Sequence, residues 1–156
     1  MKLVRKLKAA TRRPSDPVGR APRCDESAYL ALEAARLVCE RQQAADQQHR
    51  DRLRLLQRHL GMAGFYASSE LRATRRRELL ALARERSEER STAAGDLAFS
   101  VAAFTRDARS DIECAMKALG PRDDLHLAHL YVLGAEELFA AWAPCVEAVS
   151  GSSPAA

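Results

Sequence analysis

The sequence predicts an all-α fold, an antiparallel bundle of three or four long helices that dimerisation can complete. Three observations predict it. Ala (30) and Leu (20) make up a third of the 156 residues, and the strand-favouring Val, Ile and Thr number only 12 together. Apolar positions recur three and four apart over long stretches, which is the helical period. Seven Gly and six Pro leave little material for hairpin turns. This composition excludes an all-β domain, a disulfide-dense miniprotein and a collagen-like chain, and it disfavours a parallel α/β sheet. One domain fits the length. It divides into a basic tail and linker over 1–24, a helical bundle over 25–149 and a short flexible end over 150–156.

In the tail, Leu3, Val4 and Leu7 share one side of a helical turn, and Lys2, Arg5, Lys6 and Lys8 surround them. Arg12 and Arg13 extend the charge, and Pro14, Pro17, Gly19 and Pro22 then form an irregular linker. So short a helix is marginal in water alone and suits an anionic surface.

The first long helix is expected over about 26–60, capped by Asp25 or Ser27 and stopped by Gly61 as its C′ residue. Its stripe runs Leu32, Ala35, Cys39, Gln42, Asp46, His49, Leu53, Leu56, Leu60. Gln42, Gln43, Gln47 and Gln48 give this rod of about 50 Å a polar waist. Such a waist suggests a partner, most simply a second copy. Asp46 and His49 on the stripe suit a buried polar pair, or an exposed one.

Residues 61–68 read as a loop. Ser68 or Ser69 then caps a helix over 69–92 carrying Leu71, Leu79, Leu80 and Leu82. It either continues to 119 or breaks near Gly95 before 96–119, where Leu97, Val101, Phe104, Ala108, Ile112, Ala115 and Leu119 form a clean stripe. Gly120-Pro121 is a stop. Asp123 or Asp124 caps a last helix over 123–143 with Leu127, Leu130, Tyr131, Leu138, Phe139 and Trp142, ended or kinked by Pro144.

Charge points to a function. Residues 1–23 carry eight basic groups against Asp16, and residues 93–156 carry nine acids against four basic groups. The tail therefore sets the formal charge of +4, and the slightly acidic body disfavours nucleic acid. Arg50, Arg52, Arg54 and Arg58 precede the loop, and Arg72, Arg75, Arg76 and Arg77 follow it. Two antiparallel helices meeting there gather these cations at one tip around Met62, Phe65 and Tyr66. Cations around a small apolar knob suit anionic lipid headgroups. The plain alternative is a solvated face whose arginines pair with local acids.

No catalytic signature is present: no glycine-rich phosphate loop, nucleophile elbow or HExxH, and neither Ser110-Asp111 nor Cys39-Glu40 has an identifiable partner. His126 and His129 share a helix face near Asp123 and Asp124, too small a set to name a metal. A non-enzyme without metal or cofactor is expected. The widely spaced Cys24, Cys39, Cys114 and Cys145 suggest reduced thiols in the cytoplasm, with one oxidised pair as the alternative. No apolar run approaches a membrane span. Peripheral attachment to a membrane fits, and the acid-free first 15 residues also fit a cleaved mitochondrial presequence.

The order of parts resembles a BAR domain with a basic amphipathic start. The resemblance is carried by Met1-Lys2 to Lys8, then the linker Val18-Gly19-Arg20-Ala21. Leu32-Glu33, Cys39, His49-Arg50, Leu53 and Gly61 are similar to an opening BAR helix, and Leu97, Phe99, Phe104, Glu136, Leu138 and Trp142 to a closing pair. A full BAR module is longer, so its middle arms must be shortened here. The resemblance implies a homodimer on curved anionic membrane and no catalysis. The functional expectation is a self-associating scaffold bound to anionic membrane through its tail and hairpin tip. Its alternative is a protein–protein interaction adaptor.

Overall fold

The computed structural model describes the backbone of residues 21–42, 46–91, 97–120 and 122–155, and side chains over 21–42, 46–89, 100–120 and 122–141. The fold is all-α: five helices and no strand among the described residues. They are α1 (Cys24–Glu40), α2 (Gln47–Ala67), α3 (Ala73–Ser91), α4 (Leu97–Leu119) and α5 (Asp123–Ala155).

α1 starts on Arg23, one turn earlier than Ser27 suggests. The Arg23 N–H donates to Glu26 Oε1 at 2.9 Å, and the Glu26 N–H to Asp25 Oδ1 at 3.0 Å. Both carboxylates thus meet the positive end of the helix dipole. The expected single rod over 26–60 is corrected, since α1 ends at Glu40 and a new helix begins at Gln47. Asp46 starts it by accepting from the His49 N–H at 2.9 Å, and its carboxylate also meets His49 Nδ1 at 3.0 Å. This pair is an exposed cap, not a buried register device. The polar waist had nothing to bury. Breaking there lets α2 fold back on α1, so each covers the other's apolar face. The waist therefore no longer argues for a second copy.

The loop expected over 61–68 is helix up to Ala67. A Cβ on Gly64 would meet Glu33 Oε2 at 3.3 Å and the Tyr29 ring at 3.7 Å. The glycine serves close approach of α2 to α1, which offsets its helix penalty of about 1 kcal/mol. Ser68 becomes the C-cap of α2, its N–H donating to Gly64 O at 3.0 Å, and the turn falls at 68–72.

α3 and α4 are separate helices, with Gly95 outside the described residues. α4 buries Val101, Phe104, Ala108, Ile112 and Ala115 as its spacing predicts. Gly120 ends it at φ +82°, its N–H donating to Met116 O at 3.1 Å. α5 runs through Pro144 to Ala155, past the expected end at 143 and into the expected flexible end. One proline removes one helical hydrogen bond, and the alanine-rich flanks continue the helix. Its buried stripe is Leu125, Ala128, Val132 and Ala135, whereas Leu130 is half exposed.

α1, α2, α5 and α4 each pack on the next and close a four-helix ring. α4 runs antiparallel to α1, joined by a Cys24–Cys114 disulfide with Cα atoms 6.0 Å apart. This corrects the expectation of reduced thiols for these two cysteines. Cys39 is buried and free, and burial pushes its thiol up to about 12. α3 lies outside the ring against α1. Its buried residues form a narrow row spaced by four, Arg75, Leu79, Ala83 and Ser87, which Leu71 begins in the preceding turn. α1 is thus covered on both sides, which explains why even Asp25, Glu26 and Glu33 are buried.

Arg122, Asp124 and Ser69 tie the starts of α5 and α3 together; Arg122 Nε meets Asp124 Oδ1 at 3.0 Å, and Ser69 Oγ donates to Asp124. The Arg122 hydrogen bond, then those of Ser69 and the Leu125 N–H, hold the Asp124 carboxyl down at about 2. A depressed carboxylate stabilises the fold fully above its ordinary pKa near 3.9 and loses that contribution as pH falls through about 2. Urea midpoints measured from pH 5 to pH 2 are expected to fall less steeply in Asp124→Asn than in the wild type. Equal slopes refute the assignment.

Candidate functional site

The arginines of the expected tip divide into three groups. On α2, Arg50, Arg54 and Arg58 are exposed, Arg52 half-buried. Arg50 donates to Gln47 Oε1 at 3.0 Å, and Arg54 lies 3.8 Å from Asp51. Arg50 stands 18 residues before Ser68, about 27 Å along the helix, so it is not at the corner. The first correction is therefore to the single cluster of eight. The second is to the hairpin, because α2 and α3 scarcely touch and α1 lies between them.

The third correction concerns Arg75, which is buried. Its Nε lies 3.3 Å from Glu26 Oε2 and its Nη1 donates to Glu78 Oε1 at 3.0 Å. Burial works against this charge, and the hydrogen bonds to Glu26 and Glu78 outweigh it, so its pKa stands above the ordinary value. Arg75 holds α3 to α1.

What remains at the corner is smaller. Phe65 is 65% exposed, the largest exposure of any large apolar side chain described. Its ring meets Tyr66 edge-on at 5.2 Å, and Tyr66 stacks on Tyr131 of α5 at 5.9 Å. The phenylalanine is therefore braced from below by an aromatic ladder that ties α2 to α5. Met62, half-buried, lies one turn earlier on the same side of α2, and Arg58 lies two turns earlier. Arg72 and Arg77 project from the other side of the turn, both exposed. Arg76 is half-buried and donates to Ser68 O at 3.4 Å. Among the described residues, Arg58, Arg72 and Arg77 have no carboxylate partner.

Lys2, Arg5, Lys6, Lys8, Arg12 and Arg13 lie outside the described residues. His129 meets Glu113 Oε2 at 3.1 Å and His126 is exposed. No group of three or more metal-ligating side chains occurs among the described residues. No described helix is long and apolar enough to cross a membrane.

No family model, curated protein or solved structure matches this chain, so nothing there bears on the resemblance to BAR domains.

Sequence reasoning missed Leu55 and Leu133, exposed on α2 and α5, and the buried Asp25 and Glu26. An acid pair opening a helix is ordinary capping sequence, so nothing marked it as buried. Of the apolar residues that the sequence puts on the last helix, Leu130 is exposed.

Proposed function

We propose that the chain is a non-catalytic helical scaffold that docks on an anionic membrane surface through the outward side of α2 and its corner with α3. The basic N-terminal segment is the second contact. One observation carries the reading. Phe65 stands exposed near the end of α2, with the exposed Arg58 before it in the chain and the exposed Arg72 and Arg77 after the turn, and among the described residues none of the three arginines is paired with a carboxylate. An aromatic ring suits the headgroup boundary, and each cation beside an anionic leaflet contributes about 1 kcal/mol.

Co-sedimentation with vesicles tests it. Binding to phosphatidylserine vesicles and none to phosphatidylcholine vesicles is expected, with release as salt rises. Replacing Arg58, Arg72 and Arg77 together by Gln is expected to weaken binding about 100-fold, three contacts of about 1 kcal/mol each. Phe65→Ala weakens it independently of salt. Equal binding to both vesicle types, or no change in these variants, ends the proposal. Unchanged binding after removal of residues 1–13 removes the tail from it.

The second reading, a protein-binding adaptor that takes a helical partner or a second copy, rests on Leu130 and Leu133, exposed on the outer side of α5. Pull-downs lost on Leu130→Asp and indifferent to the arginines favour it.

A further inference from the structure

α3 and α4 both pack on α1 but touch each other only at their margins. The gap between them is a cleft of about 230 Å³ with α1 as its floor. Ala31 and Phe104 give it a buried apolar base, and Ser27 and Ser110 bring hydroxyls. α4 contributes Asp107 and Asp111, one turn apart, and α3 contributes Arg86 from the opposite wall.

Opposite charges in one small cleft attract, and here they do not meet. Among the described residues, Asp107, Asp111 and Arg86 form no hydrogen bond or ion pair, with each other or with anything else. Asp111 is half-buried, and its carboxyl is pushed up by burial and by the neighbouring Asp107 charge. Two like charges one turn apart on a helix oppose its stability. The fold therefore keeps two carboxylates and a guanidinium facing one gap, with no gain to itself from either.

We infer that this cleft binds a small zwitterion of free α-amino acid size, its ammonium between Asp107 and Asp111 and its carboxylate on Arg86. Such a molecule closes the gap that the helix spacing holds open. The Ser27 and Ser110 hydroxyls are placed to complete its hydrogen bonds, and its side chain lies over Phe104. The volume falls below that of pockets for drug-sized ligands, which limits the occupant to a few heavy atoms beyond the two charged groups. This site is separate from the corner at Phe65.

The test is calorimetric titration of the full chain with each free L-amino acid at millimolar concentration. At least one is expected to bind saturably. Its N-acetyl derivative, lacking the ammonium, and its amide, lacking the carboxylate, are each expected to bind at least about ten-fold more weakly. Asp111→Asn and Arg86→Gln are expected to weaken binding of the free amino acid to the same degree. Arg86 is exposed and Asp111 half-buried, and neither forms a hydrogen bond or ion pair among the described residues, so circular dichroism should show an unchanged fold. Absence of binding by every amino acid overturns the inference. So does binding that survives both substitutions. Diamines binding as well as amino acids, with Arg86→Gln without effect, also overturns it, because the cleft then reads positive charge alone.

Discussion

Replacing Cys24 and Cys114 by Ser lowers the melting temperature by about 9–18 °C. The bond closes a loop across a sequence separation of 90 residues. In the chain-entropy account, a loop that long removes about 4.6 kcal/mol of freedom from the unfolded chain. One kcal/mol shifts the midpoint of a chain this size by about 2–4 °C. The two single substitutions should match the double, since each removes the same bond. A reductant should destabilise the wild type by the same amount and leave the double variant unchanged. Cys39 does not confuse the reading, because its buried thiol is held protonated. A wild type whose intact mass and alkylation pattern show Cys24 and Cys114 as free thiols refutes the pairing. The same measurement on protein taken from its host with thiols blocked decides the compartment. An intact bond rejects the cytoplasmic expectation, and free thiols support it.

The parts of the fold that could be read from sequence are those where one element determines its own shape. α4 is the clearest case. Its stripe from Val101 to Ala115 is buried as one continuous row, its spacing is regular, and Gly120 stops it by a backbone conformation that other residues rarely adopt. The break between α1 and α2 was hidden for the opposite reason. Gln42, Asp46 and His49 keep the three-and-four rhythm in phase, so spacing argued for continuity while residue type argued for a cap. Only the gain from packing two half-rods together decides between them, and that is a tertiary quantity. Gly61 and Gly64 repeat the lesson, because a glycine pair marks either a turn or a close helix approach, and the partner helix settles which.

The candidate corner was half legible. Phe65 between two runs of arginine could be seen in the sequence, but the direction of each guanidinium could not. Arg75 sits in the run Arg72 to Arg77 and differs from its neighbours only in spacing. It falls midway between Leu71 and Leu79, four residues from each, on the row that α3 turns toward α1. That spacing was the available signal, outweighed by the local density of positive charge.

Arg75→Met is accordingly expected to cost about 3–5 kcal/mol, while Arg72→Gln and Arg77→Gln stay within about 0.5 kcal/mol of wild type. The Arg75 side chain is 8% exposed and that of Glu26 is 1% exposed. Nη2 donates to Glu26 Oε1 at 3.3 Å, and Nε lies 3.3 Å from Oε2. Removing the guanidinium leaves the buried carboxylates of Glu26 and Asp25 against Arg23, whose side chain is 55% exposed and screened by water. Buried charge without a close partner is the costly state, not the absence of the pair. Glu26→Gln in the Arg75→Met background should therefore restore at least about 1 kcal/mol, because it neutralises the stranded charge. Its Oε1 still accepts the Arg23 N–H that caps α1. A double-mutant cycle by urea unfolding measures this coupling. Additive losses, or an Arg75→Met variant as stable as wild type, would show that the pair does not hold α3 in place. Vesicle binding separates the roles again. Folded Arg75→Met should bind anionic vesicles as wild type does, since this arginine faces α1, whereas the exposed arginines around Phe65 should not be dispensable.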